Sequence, residues 1–321
     1  MAKEPAHLGE GVRVLFWGTP EFAVPALRAL GGAGHDVVGV VTRPDRPRGR
    51  GRKPRPSVVK SIAEAEGYPV FTPERPLGDP FESAIRAARP DISVVVAYGC
   101  ILARRILDIP RLGSLNLHAS LLPELRGAAP IARAIERGHS VTGVSIMRMV
   151  EAMDAGPVLA QESIPIGPDD TASGLSRRLA DNGARLMTDV LARLEAGPVP
   201  EEEQDHDAAT FAPKVDRESA RVDWRRDARA VANHIRAMDA VPGAWTLLGG
   251  APVKLFSPGV AEWPQVGAPG EIVSAGPEHG LLVATARGAL RIGEVQPAGK
   301  RRMDAAAWLR GRGPRAGDRF E

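Results

Sequence analysis

Three residues of this chain are of the types that an acyl-transfer site needs: Asn116, His118 and Asp154. Such a site requires a donor aimed at the developing oxyanion, a group that can pass a proton, and a charge that orients that group. An asparagine offers amide hydrogens, a histidine titrates near neutral pH, and an aspartate can hold an imidazole and favour its protonated form. In SLNLH (114–118), Leu115 and Leu117 alternate with Asn116 and His118. A strand there puts both polar residues on one face, ~6.6 Å apart. Each residue alone also has an ordinary reading: a core histidine, an asparagine bonded to its own backbone, an aspartate turning its loop.

The elements that must carry these residues follow an α/β pattern. Val12 to Trp17 reads as a first strand, and Thr19-Pro20 as the cap and first turn of a helix running to Leu30. Val37 to Thr42 is a second strand. Prolines and glycines from Arg43 to Lys60 then forbid regular structure and predict a loop at its carboxyl end. A helix over 58–66, a short strand at 68–71, a helix at 82–88 and a buried strand at 92–97 lead to the strand bearing Asn116 and His118. Two further strands, 142–149 and 158–166, flank the loop holding Asp154, and a helix over 171–196 closes this part. The expected class is α/β, a Rossmann-like, open, mostly parallel sheet.

Glycine, proline and acids over 197–207 mark a boundary. Beyond it, one amphipathic helix near 227–238 precedes five short strand-like pieces, the pattern of a small OB-like β-barrel. The division expected is residues 1–203, a linker at 204–210, and 211–321.

Composition excludes several classes. The 321 residues are 43% hydrophobic and 25% charged, ordinary globular usage. No apolar run reaches the ~20 residues of a membrane span, so no membrane partner is expected and the cytoplasm is. The single cysteine, Cys100, supports neither an internal disulfide nor a multi-thiolate metal site. It reads as a core residue, and no metal is expected. The first strand ends in GTPEF, without the GxGxxG of a dinucleotide site, and the P-loop, Gly-x-Ser-x-Gly and HExxH motifs are absent from the sequence. Net charge is only +3, yet eight basic residues face a single acid, Asp45, between Arg43 and Lys60. Such a run suits a polyanionic partner, or simply a solvated loop.

The surrounding residues are more specific. SLNLHASLLPELRGAAPI (114–131) and MRMVEAMDAGPVLAQ (147–161) resemble the two motifs of the formyltetrahydrofolate-dependent formyltransferase family. VRVLFWGTPEFAVPALRAL (12–30), TRPDRPRGRGRKPRPSVVKSIAEAEGYPVF (42–71), VVVAYGCIL (94–102), FAPKVDRESARVDWRRDARAVANHIRAM (211–238) and LRIGEVQPAGKRRMDAAAWLRG (290–311) are similar to the branch that formylates methionyl initiator tRNA. The resemblance thus covers nearly the whole chain.

It implies a catalytic set of Asn116, His118 and Asp154, with 10-formyltetrahydrofolate as donor. It places the folate beside Tyr98, Gly99, Ile101 and the turn Ser120, Leu121, Leu122, Pro123. Arg126 and Gly127 would shape the wall, with a structural ion pair as the alternative for Arg126. The tRNA would meet Arg46, Arg48, Arg50, Arg52 and Lys53 of the basic loop, with Arg50 where the family has a functionally important arginine, and Lys300, Arg301 and Arg302 of a tRNA-binding C-terminal domain. A monomer is expected. Cys100, Ala103 and Ala119 depart from the family pattern, a matter of pocket detail. Other readings are a formyltransferase acting on an amino sugar or a glycinamide ribonucleotide, a formyltetrahydrofolate hydrolase, and a non-catalytic RNA-binding protein on the same scaffold.

Overall fold

A computed structural model describes residues 11–48, 53–263, 267–311 and 313–321. Contacts gather the chain into two compact units. One takes the chain through Ala128, then Thr142–Ile164 and Ser176–Ala212. The other takes Ala129–Val141, Pro165–Leu175 and Pro213–Glu321. A single cut at 204–210 therefore does not separate them.

The elements, in chain order, begin with β1 (Arg13–Gly18), α1 (Val24–Gly32), β2 (Asp36–Val41), β3 (Arg46–Arg48), β4 (Lys53–Arg55), α2 (Val58–Ala65) and β5 (Val70–Phe71). There follow α3 (Asp79–Ala88), β6 (Ile92–Val96), α4 (Arg104–Leu107), β7 (Ser114–His118), α5 (Pro130–Glu136), β8 (Val141–Arg148), β9 (Val158–Pro165) and α6 (Ala172–Ala196). The remainder comprises α7 (Ala228–Ala237), β10 (Trp245–Leu248), β11 (Ala251–Ala261), β12 (Ile272–Gly276), β13 (Gly280–Ala284), β14 (Ala289–Pro297), β15 (Met303–Asp304) and α8 (Ala305–Arg310).

Seven strands form the first sheet, in the order β5-β2-β1-β6-β7-β8-β9. The pairs from β5 through β7 are parallel, and β8 runs antiparallel to β7. This is the Rossmann-like sheet that the alternation of apolar runs and helices predicts. Its central strands are apolar on both faces because both are covered: Val14, Leu15, Phe16 and Trp17 of β1 are fully buried. The chain leaves β1 toward β2 and β5 on one side, then returns to β6 and β7 on the other. That reversal opens a crevice at the carboxyl ends of β1 and β6, where ligands of open α/β sheets bind.

Two local expectations change. Thr19 does not cap a helix; its hydroxyl donates to the Tyr98 carbonyl at 3.1 Å, and a 3-10 turn, Glu21–Ala23, precedes α1. The basic segment is not wholly irregular either. β3 and β4 form an antiparallel ribbon, with Arg46 opposite Arg55 and Pro47 opposite Pro54. Two-stranded ribbons tolerate proline because each strand is an edge.

The second unit contains the antiparallel sheet, in the order β10-β11-β14-β13-β12, with β15 on β14. Its two edges are joined. Phe320 bridges to Leu248, the last residue of β10, and Arg319 to Glu271 beside β12, so residues 317–321 close the sheet on itself. The Phe320 ring stacks on Trp224, 5.7 Å between centroids. α5, from the first half of the sequence, packs in this unit through Glu136 and Arg133. The Glu136 carboxylate meets His234 Nδ1 of α7 at 3.0 Å, and Arg133 donates to both Glu136 and the Pro213 carbonyl. Among the described residues no helix is long and apolar enough to cross a membrane.

Candidate active site

Asn116 and His118 sit at the carboxyl half of β7, opposite Met147 and Ser145 of β8. Leu115 and Leu117 are buried on the other face, so the alternation holds. Asn116 is half-buried, and its amide has no hydrogen-bond partner among the described residues. A side-chain amide held on a rigid strand and left unpaired is a ready donor for an oxyanion.

His118 is buried. Its Nε2 lies 3.0 Å from the carbonyl oxygen of Leu125. A carbonyl only accepts, so this bond requires the proton on Nε2 and leaves Nδ1 to face Asp154. The carboxylate Oδ2 stands 3.8 Å from Nδ1, ion-pair range but too long for a hydrogen bond. The sequence expectation that Asp154 both orients and charges the imidazole therefore divides. Leu125 fixes the ring, and Asp154 supplies a nearby negative charge. Leu125 reaches this position with φ of +58°, a backbone feature that side-chain types do not announce.

Asp154 is itself held tightly. Its Oδ2 accepts the Gly127 amide at 2.8 Å, and its backbone adopts the left-handed φ of +52°. Gly127 has φ of +121°, and a Cβ there would stand 2.8 Å from the Ala212 carbonyl, so only glycine fits. Behind it, Arg126 is buried, with Nη2 at 2.7 Å from Gln204 Oε1 and 3.0 Å from His206 Nδ1. Its guanidinium thus braces the wall and does not reach outward, the structural alternative for this residue with an amide as partner in place of an acid.

The Ser120–Pro123 turn is cross-braced from β8 and β9. Ser145 Oγ donates to the Ser120 carbonyl at 2.6 Å and accepts the Leu122 amide at 3.1 Å. Gln161 Nε2 donates to the Leu122 carbonyl at 2.8 Å. Leu121 is half-buried and Leu122 buried. On the β6 side, Tyr98 is buried against Trp17, edge-on at 5.2 Å, and burial pushes its phenol up to about 12, so it stays neutral. Ile101 is 81% exposed. The amides of Gly99, Cys100, Ile101 and Leu102 have no hydrogen-bond partner among the described residues. Cys100 is only half-buried and its thiol contacts the Arg43 guanidinium, so it is not the core residue expected.

Of the basic residues, Arg46 is exposed and unpaired among the described residues. Arg50 and Arg52 lie outside the described residues, and Arg48 and Lys53 are described only as ribbon backbone. Lys60 pairs with Asp45 at 2.9 Å at the ribbon's base. Lys300 and Arg301 are exposed and unpaired among the described residues. Arg302 is spent on Asp239 and Glu294 and lies over the Phe256 ring, 4.0 Å from its centroid.

Residues 12–191 match the model of the family described as formyl transferase, and residues 214–313 match that of the formyl transferase C-terminal domain. The methionyl-tRNA formyltransferase of Paracoccus denitrificans (strain Pd 1222) is 48% identical, with 94% of this chain and 97% of that protein covered. That of Methylococcus capsulatus (strain ATCC 33009 / NCIMB 11132 / Bath) is 47% identical over 93% and 96% of the two chains. Among solved structures, HypX from Aquifex aeolicus in complex with tetrahydrofolic acid has the same fold, with a TM-score of 0.63. It is 21% identical, and the match covers 93% of this chain and 47% of that one.

Proposed function

The chain belongs to the formyl transferase family, and from that premise we propose that it transfers the formyl group of 10-formyltetrahydrofolate to the α-amino group of methionine esterified to initiator tRNA. The observation that carries this reading is the near full-length likeness, across both family domains, to relatives named for that reaction. The site's geometry supports it. The unpaired amides from Gly99 to Leu102 and the exposed Ile101 suit a flat heterocycle that needs both hydrogen bonds and apolar contact, as a pterin does.

In the reaction the neutral amine attacks the formyl carbon, and the carbonyl oxygen becomes an oxyanion. Asn116 donates to it from β7, beside the imidazole that Leu125 orients. Asp154 sets the charge that His118 faces. The carbon–nitrogen bond to the folate then breaks, the amine loses a proton, and the departing folate nitrogen gains one. The exposed Arg46 and the rest of the basic ribbon meet the phosphates of the acceptor arm, which small amine acceptors do not require. On this reading the protein works as a monomer in the cytoplasm, with no metal.

One assay tests this. The protein is incubated with 10-formyltetrahydrofolate and, separately, charged initiator tRNA, charged elongator tRNA and a panel of small amines. Formyl-methionine on initiator tRNA is the expected product. Faster formylation of a small amine, with none on tRNA, overturns the reading.

A further inference from the structure

Gln204 lies in the segment whose composition reads as a linker, yet its side chain is buried. Both ends of its amide are used. Oε1 accepts from Arg126 Nε at 3.1 Å and Nη2 at 2.7 Å, and Nε2 donates to the carbonyls of Asp154 at 3.0 Å and Gly156 at 2.6 Å. The loop carrying Asp154 is thereby fastened to Arg126, whose neighbour Gly127 binds the Asp154 carboxylate. The bonds form a closed circuit: Asp154 carboxylate to Gly127 amide, Arg126 guanidinium to Gln204, and Gln204 back to the Asp154 carbonyl.

The connection needs this brace. β8 ends at Arg148, opposite Leu115, so its chain leaves the sheet three residues along the strand from His118. That is roughly 10 Å at strand rise. The loop must double back to bring Asp154 beside the imidazole, and Asp154 takes a left-handed conformation to do so. Such a conformation persists only where surrounding contacts enforce it. A primary amide is suited to the task because it pairs an acceptor with two donors at one site; a glutamate of the same size accepts only.

We infer that Gln204 is a positioning residue for the formyl-transfer site, holding the Asp154 loop at its working distance from His118. The inference rests on the assignment of Asp154 to that site. Gln204→Glu keeps the volume and the partner for Arg126 but sets a carboxylate oxygen against two carbonyls. A displacement of the order of 1 Å at a catalytic group lowers turnover about 100-fold, and kcat of Q204E is expected to fall by that order with KM for both substrates near wild type.

The decisive measurements are a double-mutant cycle with Asp154→Asn and hydrogen exchange at the Gly127 amide. If Gln204 acts through Asp154, Q204E costs little in the D154N background, and its Gly127 amide exchanges faster than in the wild type. Equal losses of kcat in both backgrounds, or Gly127 protection unchanged in Q204E, overturns the inference. Should Q204E not fold, Q204N takes its place in the same cycle under the same criteria. The exchange arm reads the loop without turnover, so a protein that formylates nothing refutes the proposed function and still leaves this inference tested.

Discussion

The wall behind His118 and the seam between α5 and α7 are both buried polar clusters, and they use charge in opposite ways. In the seam, Arg133, Glu136 and His234 face one another. Burial alone would raise the Glu136 carboxyl, but hydrogen bonds from His234 and Arg133 overcome it and hold the group down at about 2. Arg133 neutralises Glu136 within α5, and the His234 hydrogen bond ties that carboxylate to α7. In the wall, the charged groups bond to neutral partners: Arg126 to an amide, Asp154 to the Gly127 amide. Their hydrogen bonds are satisfied while the carboxylate keeps its field, turned toward an imidazole 3.8 Å away. The ion pair serves architecture here, and on the proposed function the neutral partners preserve a charge for chemistry.

Removing that preserved charge is the hardest test of the contrast. Asp154→Asn retains an acceptor for the Gly127 amide, so the fold should stand while kcat drops about 100- to 10,000-fold, the range for losing one acid–base partner. Steady-state kinetics beside thermal melts checks it. Asn116→Ala follows, with turnover cut about 100- to 1,000-fold by loss of an oxyanion donor, ~2.7–4 kcal/mol, and no change in melting. A loss under tenfold would remove Asn116 from the mechanism.

Smaller effects sharpen the other side. Arg46→Ala and Arg50→Ala should each raise KM for charged tRNA, leave kcat alone, and lower the log–log salt slope by about 1, measured from binding at several salt concentrations. Glu136→Gln should leave turnover at neutral pH unchanged. Because its folded-state carboxyl lies below the ordinary glutamate value of 4.5, Glu136 stabilises the protein above that pH and ceases to as pH falls toward about 2. E136Q should therefore be less stable at neutral pH and lose less stability over that acid range, read by denaturant unfolding at each pH.

The strand pair was legible because period-two alternation is a local property: Leu115 and Leu117 turn inward, so Asn116 and His118 turn the other way. The sheet was legible for the same reason, in runs such as 92–96. What alternation cannot reveal are partners distant in sequence and made of backbone. The Leu125 carbonyl and the Gly127 amide carry no side-chain signature, although LRGAA with its glycine marks a place where the chain must bend. Arg126 and Arg46 are alike in charge count, and only burial separates a brace from a free cation. Gln204 was obscured by its setting, since acids and prolines on its N-terminal side read as a linker. The β3–β4 ribbon was masked by prolines, which are tolerated at edges.

The second unit borrows α5 from a stretch far earlier in the chain. A fragment starting at residue 211 would emerge without it, leaving His234 without its acid and the α5-facing side of α7 bare. The two halves therefore cannot be traded between proteins as cassettes. Recombination that respects this molecule must carry residues 129–141 along with the barrel, or redesign the helix that depends on them.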